Sequence, residues 1–168
     1  MTVFVEGDLQ ITIDDTLQAR RFDGPEHGLS HCMKAVDFVV ELPDRFMYIE
    51  FTDPDHPRTQ YENRQKFIAD FTGRALIEEL KQKYRDSFLY EWATGRADKP
   101  VHFAVLVAMS ALTEDILISK TEELVRELPV SGPRSWVRPI AHSCSIFNVD
   151  SWNLHLPDFP VTRISSAR

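Results

Sequence analysis

The sequence predicts a single α/β domain over residues 1–168, on three observations. The run "VHFAVLVAM", Val101 to Met109, is continuously apolar and β-branched, the mark of a strand buried on both faces. From Arg58 to Trp92, apolar residues recur every three or four positions, the period of an amphipathic helix. Ahead of that helix, "VDFVVELPDRFMYIEFTD", Val36 to Asp53, sets two apolar runs around a short turn, the pattern of a strand hairpin. With 168 residues, such a chain buries roughly 70% of the surface its unfolded form exposes and needs no staples.

The other elements follow in chain order. "TVFVEGDLQITI" alternates apolar and polar residues on both sides of Glu6-Gly7-Asp8, which predicts an N-terminal hairpin. "DDTLQARRFDG" predicts a short helix capped by Asp15 or Thr16 and stopped near Gly24, and "EHGLSHC" a loop. Pro54 and Pro57 break the strand after the hairpin, Gly73 weakens the long helix locally, and Gly95 stops it. In "TEDILISKTEELVREL", Thr113 is the expected N-cap of a second helix with Ile116, Leu117, Leu124, Val125 and Leu128 on one stripe. The proline-rich tail from Ser135 supplies one or two edge strands and a wrapping segment.

Composition narrows the function classes. There is no apolar run of membrane-spanning length and no basic, apolar leader, so a cytoplasmic protein without membrane contact is expected. Two cysteines are too few for a disulfide framework. The net charge of −7 is uneven: residues 1–57 carry 4 Lys/Arg against 12 Asp/Glu, whereas residues 58–90 carry 7 against 5. Proteins that grip duplex DNA unaided usually present a basic face, because phosphate neutralisation supplies most of the non-specific affinity. This chain offers a modest basic helix instead.

The carboxylates in the central hairpin stand out. A four-residue loop Leu42-Pro43-Asp44-Arg45 places Asp37 directly opposite Glu50, with Val39 opposite Tyr48 and Thr52 on the face of Glu50. Phe38, Val40, Met47, Ile49 and Phe51 then form the expected core face. Opposed side chains stand about 4.5–5.5 Å apart at Cβ, and like charges there repel. Three compensations are open: a divalent cation bridging hard oxygens, a raised pKa that makes an acid/base pair, or a wet face neutralised by a nearby Lys or Arg.

The hairpin carrying Asp37 and Glu50, followed by long helix, buried strand, second helix and terminal strand, resembles the PD-(D/E)xK nuclease superfamily with its restriction-endonuclease-like fold. The likeness lies in "KAVDFVVE" and "YIEFTDPDHP", covers mainly residues 33–110, and is weaker at "SWNLHLPDFPVTRIS". It implies a central mixed sheet of about five to seven strands flanked by two main helices. It further implies that Asp37 and Glu50, with the Phe51 carbonyl, hold Mg²⁺ or Mn²⁺ for hydrolysis of nucleic-acid phosphodiesters. Thr52 stands where the family has its lysine, and loss of such an electrostatic group commonly costs about 10²–10³ in rate. Lys66 on the following helix is the favoured substitute, with Arg64 as a neighbouring phosphate contact, and Lys34 is the other candidate; the ordinary reading of Lys66 and Arg64 is a solvated helix face. Glu6 and Glu26 are loose candidates for a further acid, and Gln60 and Gln65 for the groove. The departure at Thr52 implies an alternative, an inactive subunit or adaptor within a larger bacterial assembly, including one that defends against foreign DNA. The partner is nucleic acid in the first case and a larger protein in the second, and a homo-oligomer is compatible with both.

Weaker constellations have ordinary explanations. His31, Cys32, His142 and Cys144 lack zinc-knuckle spacing, and a Cys144–His142 nucleophile has no orienting third residue. Trp136, Phe147, Trp152 and Phe159 suit core closure better than base stacking.

Overall fold

A computed structural model of the chain describes residues 1–25 and 28–167. Its centre is a five-stranded mixed sheet of order β3-β4-β5-β6-β7, built from Gln18–Arg21, Phe38–Glu41, Phe46–Thr52, Val101–Val107 and Ser143–Phe147. β3, β4 and β5 run antiparallel, and β6 and β7 continue parallel to β5. The parallel steps require crossovers. α1 (Tyr61–Thr72) and α2 (Ala75–Ala93) provide the first and α3 (Glu114–Glu127) the second. β1 (Thr2–Glu6), β2 (Leu9–Ile13) and β8 (Val161–Arg163) form a separate antiparallel sheet, and α4 (Val149–His155) lies between β7 and β8 in sequence.

The central sheet is therefore buried on both faces. Val39, Tyr48, Phe103 and Val105 pack against Ile77, Leu80, Tyr84 and Leu124 of the helices. Phe38, Ile49, Phe51 and Leu106 pack against Leu9, Ile11, Trp152 and Val161 of the small sheet and α4. The expected core face is thus one of two. The face of Asp37 and Glu50, expected to be wet or open, is covered by the helical layer.

Several elements follow their sequence signals. The N-terminal hairpin turns at Gly7, whose φ of +59° suits glycine. The central hairpin closes with Leu42 N–H donating to the Arg45 carbonyl at 2.9 Å, and Val39 pairs with Tyr48. β6 is almost wholly buried, as its apolar run requires. Trp152 and Phe159 close the core, with Trp152 Nε1–H donating to the Phe159 carbonyl at 2.7 Å. α4 carries a capping box, with Asn148 and Ser151 bonding each other's backbone N–H.

Three expectations are corrected. The stretch after Asp15 contains a strand: β3 pairs with β4, so edge pairing overrides the helix-like "LQARR" composition. The long helix is two helices, because Gly73 caps α1 through its N–H to the Ala69 carbonyl at 2.9 Å and α2 begins at Ala75. The two main helices are joined by others, giving four α-helices among the described residues, and Ile116 is exposed while Leu117, Leu124 and Leu128 are buried. No described helix is long and apolar enough to cross a membrane.

Candidate functional site

The register of β4 and β5 runs Phe38 to Ile49, so its next step brings Asp37 against Glu50 at the point where β4 begins. Both are buried, at 5% and 3% exposure. Asp37 is fixed through its own strand ends: its carbonyl accepts from Phe22 N–H at 2.8 Å, and its Oδ2 accepts from Phe51 N–H at 2.6 Å. An extended residue sends N–H and C=O to the same side, so the Phe51 carbonyl leaves β5 on the Asp37 side.

α2 closes over the pair. Lys34 N–H donates to Asp86 Oδ2 at 2.8 Å and Val36 N–H to Ser87 Oγ at 3.0 Å, tying the segment that leads into Asp37 to this helix. One turn earlier on the same side of α2, Lys83 forms an ion pair with Glu50 Oε1. The other oxygen, Glu50 Oε2, is buried with no hydrogen-bond partner among the described residues.

Charge counting explains the titration. Burial pushes the Asp37 carboxyl well up, against the pull of the Phe51 N–H and the Lys83 charge. Burial and then the Asp37 charge push Glu50 up as well, with Lys83 opposing. Burial disfavours the Lys83 ammonium, but Glu50, Asp37 and Glu79 together more than offset this and its pKa is raised. Two carboxylates share one ammonium in a low-dielectric pocket, so a single positive charge is lacking.

The residues expected here divide. Asp37, Glu50 and Phe51 are brought together, and Thr52 follows on the Glu50 face of β5, half-buried. Lys66 is not brought to the pair: its ammonium is solvent-exposed and bonded to Asp70 at 3.2 Å. Lys34 is exposed and meets α2 through its backbone. Arg64 turns to Asp55 at 3.0 Å, and Asp55 also accepts from Ser110. Glu6 pairs with Arg21, although its charge adds to the upward shift of Asp37. Glu26 lies outside the described residues. Gln60 precedes α1 and Gln65 is exposed on it.

Lys83 is the residue at this pair that motif reasoning missed. Its signal was present: it stands at helical spacing from Leu76, Leu80 and Ser87, on the buried stripe of α2. A lysine on an apolar stripe calls for an anionic partner.

The alternatives lose ground. Cys32 is exposed and Cys144 buried, both as free thiols, and burial pushes the Cys144 thiol up to about 12, far from a nucleophile's range. A cleft of about 550 Å³ lies at the carboxyl ends of β5 and β6. Its Asp55 and Arg163 are already engaged, by Arg64 and Ser110 and by Asp53 and the Ala108 carbonyl.

The chain matches no family model, no curated protein and no solved structure. What the pair can do follows from its donor set. Among the described residues no three His, Cys, Asp or Glu side chains stand together as a metal cage. A cation here would draw on two carboxylates, the Phe51 carbonyl and water. That is the sparse oxygen set Mg²⁺ accepts, and the unpartnered Glu50 Oε2 fits it.

Proposed function

We propose that this chain is a PD-(D/E)xK-type nuclease in which Asp37, Glu50 and the Phe51 carbonyl hold Mg²⁺ or Mn²⁺ for hydrolysis of nucleic-acid phosphodiesters, and Lys83 supplies the ammonium that Thr52 lacks. The observation that carries the reading is Glu50, buried at 3% exposure with Oε1 on Lys83 and Oε2 without a partner among the described residues. The mixed sheet, a hairpin leading into parallel crossovers, suits the restriction-endonuclease-like fold. Asp37 accepts an N–H and Glu50 accepts an ammonium, hydrogen bonds that favour the ionised forms against the burial that opposes them. That favours a cation over a proton as the missing charge.

When bound, the ion would polarise the phosphate and make its water more acidic. Asp37 and Glu50 orient that set, the first fixed by the Phe51 N–H and the second by Lys83. An ammonium has three donors. With one on Glu50, Lys83 keeps two for a water or phosphate oxygen. The Thr52 hydroxyl adds a hydrogen bond without charge.

A second reading has its own support. The pair is nearly closed to solvent, and the C-terminal part exposes Val137 fully and Leu154 by 75%. These suit an inactive nuclease-fold subunit docked in a larger bacterial assembly. Plasmid and single-stranded DNA cleavage by wild type, Asp37→Ala and Thr52→Lys separates the two. Metal-dependent cutting by the wild type that vanishes in Asp37→Ala supports the nuclease; cutting by Thr52→Lys alone supports the adaptor.

A further inference from the structure

On the face of the central sheet opposite Glu50, the amino-terminal corner of β6 and β7 opens into a cavity of about 230 Å³. The register builds it: Met47, His102 and Ser143 lie in one row across β5, β6 and β7, and Ile49, Ala104 and Ser145 in the next. Met47, Ala104 and Leu156 make it apolar, whereas His102, Ser143, Ser145 and Arg45 add polar groups. His102 Nδ1 and Ser143 Oγ are 2.7 Å apart. Arg45 reaches in from the hairpin turn, and its Nη1 alone is engaged, by the Asp44 carboxylate at 3.0 and 3.2 Å. Its Nε and Nη2 donate to no described group, and neither does the Ser145 hydroxyl.

A guanidinium fork with a free edge matches a planar carboxylate in two parallel hydrogen bonds. An apolar floor beside such donors is the usual make-up of a small-molecule site. We propose that this cavity binds a small organic acid, its carboxylate on Arg45 with Ser145 and His102 beside it, and its short apolar tail over Met47, Ala104 and Leu156. The volume equals that of roughly eight liquid waters, room for an acid of about eight heavy atoms. The site is independent of the carboxylate pair, which faces the helices from the other side of β5.

Hexanoate is the probe, titrated into wild type, Arg45→Gln and Ser145→Leu while the His102 ring and the Ser143 and Ser145 amides are followed by NMR. Hexanol and inorganic phosphate form separate arms. Saturable shifts with hexanoate are expected, roughly tenfold or more weaker in Arg45→Gln, where a charge-assisted pair is lost, and absent in Ser145→Leu, whose side chain fills the cavity. Hexanol and phosphate bind at least as much more weakly. No saturable shift with hexanoate overturns the proposal, as does equal binding by Arg45→Gln or equal binding of hexanol or phosphate.

Discussion

Lys83 and Glu50 join the helical layer to the central sheet through one ion pair, and that pair satisfies only half of the carboxylate: Oε1 meets the ammonium and Oε2 has no hydrogen-bond partner among the described residues. Removing one partner of a buried pair strands the other charge, which commonly costs about 3–5 kcal/mol. Lys83→Met is therefore expected to lower stability by about 3 kcal/mol at alkaline pH, where Glu50 is ionised, measured by urea unfolding. Below the raised Glu50 value, where the carboxyl is protonated, the loss shrinks. An equal loss at both pH values would mean that Lys83 acts through packing alone.

The same geometry sets a pH dependence. Asp37 and Glu50 have folded-state pKa values raised above their unfolded ones, so the folded protein binds more protons than the unfolded chain between those values. Stability is then fully present below the ordinary carboxylate range and falls as pH rises through the raised values, with a slope approaching about 1.4 kcal/mol per pH unit for each proton. Glu50→Gln is expected to flatten that decline and to be more stable than wild type at alkaline pH. A wild-type profile that rises from pH 5 to 8 would contradict the burial account.

Thr52 gives a rescue experiment. If Lys83 does the work of the motif lysine, Lys83→Met lowers metal-dependent cleavage by about 10²–10³, and Thr52→Lys in that background restores part of it. Binding of the metal should change less than cleavage. If the double variant stays as inactive as Lys83→Met while still folded, the ammonium is not the missing element.

The small sheet and α4 carry a packing prediction. Trp152 is fully buried, stacks edge-on against Phe51 and Phe147, and donates to the Phe159 carbonyl. Trp152→Ala should cost about 3–5 kcal/mol by denaturant unfolding. A loss under about 1 kcal/mol would indicate that this layer packs loosely on the sheet.

The central hairpin was legible because its turn and its alternation agree: a loop of Leu42–Arg45 leaves one register, and that register pairs Val39 with Tyr48 and aligns Asp37 with Glu50. β6 was legible because a strand buried on both faces needs an unbroken apolar run. β3 was not, since "LQARR" suits a helix locally and becomes a strand only by pairing with β4, a contact distant in sequence. Lys83 was legible only in part, for a similar reason. A lysine within a charged helix reads as solvated until the fold lays that helix over Glu50, 33 residues away in the chain. The long helix was misjudged at Gly73, where Lys120 of α3 donates to the Gly73 carbonyl at 3.1 Å and helps hold the break.

The central claim is that the Asp37–Glu50 pair lacks one cation, and calorimetric titration of Mn²⁺ and Mg²⁺ into wild type and Glu50→Gln tests it most directly. The account predicts saturable binding of about one ion per chain, stronger as pH rises and the carboxyls ionise, and at least tenfold weaker in Glu50→Gln. Absence of binding in the wild type, or equal binding in Glu50→Gln, would contradict it.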